Sequence, residues 1–139
     1  MNIVTYASVV SMQPKQFVIA VYNGTKTLGH VQQDPHFVLQ LLADDQYNLV
    51  TLLGRHSGHS INKIERLKKR ELISYWNGFP VLKDALAWME LKGVHLNTNA
   101  FLSKSDHQLF LCDVIAYKNV KQGHALTVDT LRQKKIVRM

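Results

Sequence analysis

NIVTYASVVSMQPKQFVIAVYNGTKTL, running from Asn2 to Leu28, is the stretch whose reading decides the fold. Asn2 to Ser11 is rich in Val, Thr and Tyr, residues that suit a pleated, half-buried surface, and reads as a strand. Met12-Gln13-Pro14-Lys15 reads as a turn, because proline cannot donate to a central ladder. Gln16 to Tyr22 is a second strand without a polar face, which predicts cover on both sides. Asn23-Gly24 is a further turn signal. Thr27 is then expected as the N-cap of a short helix that runs to about Asp34, where Pro35 stops it.

Two polar features sit on this hairpin. Asn2, Thr5, Ser8 and Ser11 recur at spacing three, whereas a regular strand puts alternate residues on one face. A bulge or irregular pairing is needed to re-aim some of them. Their exposed backbone groups, with small side chains at Ala7 and Ser8, would let a flat heteroaromatic ring approach closely. The plainer reading is a strand with one polar face, and by itself it is the better one. The second feature, Gly24 to His30, has two glycines at the separation of a nucleotide-hydrolase phosphate loop. It lacks the lysine and hydroxyl that must follow, since His30 and Val31 stand there, and that match is rejected. Thr25, Lys26 and Thr27 still offer two hydroxyls, a positive charge and a helix N-terminus, a set that suits a phosphate. On spacing alone, a solvated turn with a helix cap is the better reading.

Outward from the hairpin, Phe37 to Leu42 reads as a third strand. Asp44 or Asp45 should cap a helix carrying Leu49, Leu52 and Leu53, and Gly54 to Ser60 a loop. Ser60 to Arg70 reads as a helix with Ile61, Ile64 and Leu67 on one side, and Leu72 to Pro80 as irregular chain. Ala85 to Leu96 and His107 to Tyr117 are long strands with Asn97 to Ser105 as a polar connection. Thr127 should cap a last helix, Val128 to Lys134. Strands come in adjacent pairs rather than alternating with helices, which favours an antiparallel barrel with helices outside it over a doubly wound parallel sheet.

The chain has 139 residues, 46% of them hydrophobic and 19% charged, the balance of one globular domain over 1–139. Apolar runs such as Phe17 to Tyr22 fall far short of the roughly 20 residues of a membrane helix, and no signal-peptide pattern opens the sequence. One cysteine, Cys112, excludes an internal disulfide; it lies in an apolar strand and reads as an inert buried thiol. A cytoplasmic setting is the resulting expectation. The net charge of +7 comes partly from two clusters, Lys63 to Arg70 and Arg132 to Arg138. They read as solvated helix faces, and a nucleic-acid-binding barrel ranks well below because the aromatic ladder for base stacking is lacking. His56-x-x-His59 has no carboxylate or thiol near it in sequence, so no metal is expected.

Taken together, four segments resemble the flavin reductase-like, FMN-binding split-barrel family: Asn2 to Leu28, His56 to Lys63 (HSGHSINK), Leu82 to Lys92 (LKDALAWMELK) and Ser105 to Tyr117 (SDHQLFLCDVIAY). The family usually carries residues ahead of the first of these, where this sequence starts at Met1; either this is a short member or such a segment is absent. The resemblance implies a mainly β fold with short helices, a six-stranded antiparallel Greek-key split barrel, forming a homodimer with FMN, or FAD in its place, near the subunit interface. It implies NAD(P)H-dependent oxidoreductase chemistry: hydride passes from nicotinamide to flavin, and electrons go on to free flavin or another acceptor. A non-catalytic FMN-binding electron carrier is the alternative. By position, Thr5, Tyr6, Ala7, Ser8 and Ser11, with Asn2, would border the flavin. Thr25, Lys26 and Thr27 would hold its phosphate, and His56, Ser57 and Gly58 would join the same site. His107 reads as a structural histidine or as a lining of the nicotinamide side.

Overall fold

A computed structural model describes residues 1–96 and 104–137. Its strands are β1 (Ala7–Met12), β2 (Lys15–Tyr22), β3 (His36–Leu41), β4 (Ile73–Trp76), β5 (Phe79–Leu82), β6 (Ala87–His95) and β7 (His107–Asn119). Its helices are α1 (Lys26–Gln33), α2 (Lys63–Lys69) and α3 (Val128–Gln133). Every strand pair is antiparallel. Five strands form one sheet in the order β1-β2-β7-β6-β3, and β4 and β5 form a separate hairpin. The mainly β, antiparallel expectation is met. The count differs from the six expected, with seven strands among the described residues, and the five-stranded sheet keeps two edges, β1 and β3, rather than closing into a barrel.

The opening hairpin forms as its sequence demands, with a shift at its start. Residues 1–6 precede the strand, although the Tyr6 carbonyl still accepts from Ala20 N at 2.9 Å. Val9 pairs with Phe17 and Ser11 with Gln16, so Val10 is an extra residue on β1. That bulge re-aims the serines, and accounts for a polar spacing of three within a strand of period two. A second bulge leaves Ile115 of β7 unpaired, while consecutive Glu90 and Leu91 of β6 are both buried because each face of β6 is covered there: Leu91 packs in the cluster with β2 and α1, and Glu90 meets His36 and Asn77.

Two core clusters result. One packs Ile19 and Val21 of β2, Leu28 and Val31 of α1, Leu91 of β6, and Phe110 and Cys112 of β7. The other packs Leu49 and Leu53, Leu67 of α2, Val81 and Leu82 of β5, Ala85 and Trp88. Burial pushes the Cys112 thiol up to about 11, so it stays protonated and unreactive at neutral pH, as the sequence implied.

Three local expectations are corrected. The helix expected from Asp44 or Asp45 is a 3₁₀ turn, Asp44–Gln46, then a π-helical turn, Thr51–Arg55. Gln46 folds back so that its side chain accepts from Ala43 N at 3.1 Å, which tightens the first turn. The supposedly irregular stretch Leu72 to Pro80 contains β4 and the first half of β5, because Asn77 (φ 47°) and Gly78 (φ 81°) make a two-residue hairpin turn. Thr25, not Thr27, caps α1: its hydroxyl accepts from Leu28 N at 3.2 Å. By contrast, Thr127 caps α3 as expected, and Asn62 caps α2. The sequence reading of Asn97 to Ser105 falls mostly outside the described residues.

Candidate functional site

The first hairpin ends in a tight turn held from the far side of the chain. Asn23 N donates to Asp106 O at 2.8 Å, and its side chain donates to Ser105 O at 2.8 Å. Gly24 takes φ 75°, a conformation that glycine adopts at little cost. The chain thereby enters α1 with Thr25 fixed at both ends of its hydroxyl, which donates to Tyr22 O at 2.9 Å while accepting from Leu28 N. Gly29 N reaches Thr25 O at 3.5 Å. The N–H groups of Lys26 and Thr27 are then the first-turn donors with no intrahelical acceptor.

Facing this turn is the loop between the π-helical turn and α2. Ser57 organises it: its carbonyl accepts from Ser60 N and Ile61 N, and its hydroxyl accepts from His59 N at 3.2 Å. Gly58 lies against α1. A Cβ placed there would come within 3.3 Å of Lys26 Cβ, so the loop packs this closely because position 58 has no side chain.

Between the two walls is a cleft of about 600 Å³. It brings together Asn2, Thr25, Lys26, Thr27, His56, Ser57 and Gly58, seven of the residues expected from sequence. It also holds His30, Arg55, His59 and Lys63, which the sequence reading left out of the site. No Asp or Glu lines it. The Met1 amino group is pushed down by burial first, then by the charges of Lys63 and Lys26, so three cations share this space. Such a field attracts anions.

The other expected residues lie elsewhere. Tyr6 does not line the cleft: its ring meets His107 edge-on at 5.3 Å, and Tyr22, itself a cleft residue, meets the same His107 edge-on at 5.2 Å. Asp106 holds His107 Nδ1 at 2.6 Å. Ala7 and Ser8 are exposed on β1, paired with Ile19 and Val18. Ser11 pairs with Gln16 at the far end of the hairpin, six residues along β2 from Tyr22, which at strand rise is roughly 20 Å away. Thr5 lines a neighbouring cavity, also of about 600 Å³, walled mainly by apolar side chains of β2, β3, α1 and α3. The two spaces adjoin, sharing Met1, Asn2, Thr27, His30 and Ile64. Among the described residues no group of three His, Cys, Asp or Glu side chains is placed to hold a metal, and no helix is long and apolar enough to cross a membrane.

The fold recurs in solved structures. An FMN-binding protein from Thermus thermophilus with bound 1-cyclohex-2-enone superimposes with a TM-score of 0.68 at 25% identity, over 84% of this chain and 60% of that one. A flavin reductase domain protein from Arthrobacter sp. FB24 gives 0.71 at 17% identity, over 88% and 69%. An NADH:FAD oxidoreductase from Streptomyces globisporus C-1027 gives 0.63 at 19%, over 81% and 63%. The chain thus spans about three-fifths of the Thermus protein's length. No curated protein sequence matches it. The model of the flavin reductase like domain matches residues 2–135, nearly the whole sequence, and the chain belongs to that family.

Proposed function

We propose that this chain is an FMN-binding oxidoreductase that accepts hydride from NAD(P)H and passes electrons to free flavin or another acceptor. The observation that carries the reading is the junction of two unlike spaces. A cationic cleft without carboxylates adjoins an apolar cavity. That pairing fits a ligand with a phosphate at one end and a flat, largely apolar ring at the other. Family membership supports the same ligand class. FMN is preferred to FAD on the likeness to the Thermus FMN-binding protein, although the Streptomyces structure is an NADH:FAD oxidoreductase.

When bound, the flavin supplies the hydride and electron chemistry. The chain's residues hold and orient it. Lys26, the N–H groups of Lys26 and Thr27, and the Thr27 hydroxyl take the phosphate, while Thr25 fixes the turn that presents them. Asn2, His56, Ser57 and Gly58 form the remaining walls of the phosphate end. Thr5 would border the ring from within the apolar cavity, and Tyr6, Ala7 and Ser8, which line neither space, would border it from the exposed side of β1. His107, oriented by Asp106 and enclosed by Tyr6 and Tyr22, lines the nicotinamide side. Ser11 is too distant along the hairpin to share the phosphate end.

The finer architecture belongs to the same reading: a single split-barrel domain of Greek-key type, paired as a homodimer. Exposed Val9, Val10 and Met12 on edge strand β1, and exposed Ile115 and Tyr117 on β7 beyond β2, offer apolar side chains for the second subunit. A lone buried thiol suits a reducing cytoplasm.

Purified protein should be yellow, with FMN in amounts matching the chain, and NADH or NADPH should bleach it under anaerobic conditions. A colourless protein that ignores added FMN overturns the reading. The name of the Thermus relative favours a second possibility, an FMN-binding carrier; bound FMN that neither nucleotide bleaches would select it.

A further inference from the structure

Lys63 is the one buried lysine among the described residues, with 6% of its surface exposed. It opens α2 directly after the cap Asn62, and its ammonium donates to Leu53 O, a carbonyl of the π-helical turn. That bond uses one of three N–H donors. No carboxylate pairs with Lys63 among the described residues, and none lines the cleft into which it projects. The other charged or titratable groups around that cleft are the Met1 amino group, Lys26, His30, Arg55, His56 and His59, all basic, and the Tyr22 phenol. A buried ammonium without a counter-charge is costly, and proteins pair or neutralise such groups. Nothing in the packing of α2 requires a lysine here, since Leu67 supplies that helix's fully buried apolar contact.

We infer that Lys63 is the second cation of the anion site, reaching the bound phosphate from the α2 wall opposite Lys26, so that two lysines from separate elements close on one dianionic group. The inference rests on the phosphate-ligand reading of the cleft, and it names the residue that gives that site its preference for a charged over an uncharged ligand. Lys26 is exposed and screened by water, whereas Lys63 is not, so the buried lysine has the stronger hold on a desolvated phosphate. A proton linkage follows. Burial pushes the free Lys63 ammonium below its ordinary 10.5. A phosphate beside it favours the charged form and raises it again. Binding therefore takes up a proton as pH climbs toward 10.5, and affinity for the anion falls through that window.

The test compares FMN with riboflavin, which lacks the phosphate, by flavin fluorescence on the wild-type chain, Lys63→Met and Lys63→Arg. Lys63→Met should lower the FMN preference by roughly tenfold or more, the loss expected for a charge-assisted hydrogen bond, and leave riboflavin unchanged. Lys63→Arg should keep the preference, and should flatten its decline as pH climbs toward 10.5, because a guanidinium does not deprotonate there. Equal losses for both ligands would reduce Lys63 to a prop for Leu53 and overturn the inference. So would a wild-type preference that does not change with pH. Inorganic phosphate provides an arm independent of flavin. It should raise the melting temperature of the wild-type chain and of Lys63→Arg, but not of Lys63→Met. If flavin fails to bind while phosphate still discriminates these variants, the flavin reading falls and the two-lysine site stands; no phosphate effect on the wild type overturns the site itself.

Discussion

At the start of α1, Thr25 has no hydroxyl donor to spare: its proton goes to Tyr22 O and its lone pair to Leu28 N. Lys26 is the charged side chain left to meet a phosphate from that turn, with the Thr27 hydroxyl beside it. Lys26→Ala should therefore weaken FMN by about 1.5–3 kcal/mol, the range for hydrogen bonds to charged groups, and riboflavin far less; equal losses in a fluorescence titration would refute the role. The residue types of this turn were legible in the sequence because a phosphate-suited set is local. Which threonine caps was not, since Thr25 and Thr27 are equally good caps and only the bond to Tyr22 O separates them. Lys63 escaped notice for a related reason: within a run of basic residues nothing marks the one that tertiary packing will bury. Gly93 shows the opposite sensitivity. A Cβ there would sit 2.7 Å from Cys112 Sγ and 3.2 Å from Leu111 O. Gly93→Ala should cost about 1–3 kcal/mol by urea unfolding, typical of overpacking. Adding Cys112→Ala should return part of that loss by removing the nearer obstacle, a non-additivity that a double-mutant cycle detects.

The β4–β5 hairpin is held onto the sheet through its turn. Asn77 donates to one Glu90 oxygen and His36 meets the other, each at 2.7 Å, while Phe79 packs edge-on against His36. Leu82 N also donates to the Gln40 side chain at 2.7 Å, and Trp88 Nε1 to Leu82 O at 3.0 Å. The Asn77 bond first, and then the His36 bond, hold the Glu90 carboxyl below its ordinary 4.5. A lowered folded value means that the carboxylate contributes stability fully above about pH 4.5 and loses it as pH falls through the lower folded value. Glu90→Gln should thus lower stability at pH 7, and the gap from wild type should close at more acidic pH; a gap independent of pH would show that Glu90 acts by shape alone. The element was hard to read from sequence because Pro80 and two four-residue strands obscure the signal, although Asn77-Gly78 carries the turn chemistry. Glu90 was equally hidden: only the docking of the β4–β5 hairpin turn, through Asn77, covers it beside His36.

For the whole molecule, the long strands and the pairing of β1 with β2 could be read from apolar patterning, and the resemblance added the family. The strand order could not be read, because β2 joins β7, its neighbour in space, across most of the sequence. A second copy docked on β1 should give a dimer by light scattering, and Val9→Lys with Ile115→Lys should yield a folded monomer; a wild-type monomer at working concentrations would remove the homodimer from the proposal. The anion cleft has α1 on one side, anchored in the core of Leu28, Val31 and Phe110, and on the other the loop ahead of α2, anchored in the core of Leu53 and Leu67. Gly58 against Lys26 is a point where the two sides touch. A ligand in that seam acts as a rivet between two separately built cores. At a hundredfold excess over its Kd it adds about 2.7 kcal/mol to stability. Hydrogen exchange should slow in α1 and α2 together, even though the two helices belong to different cores.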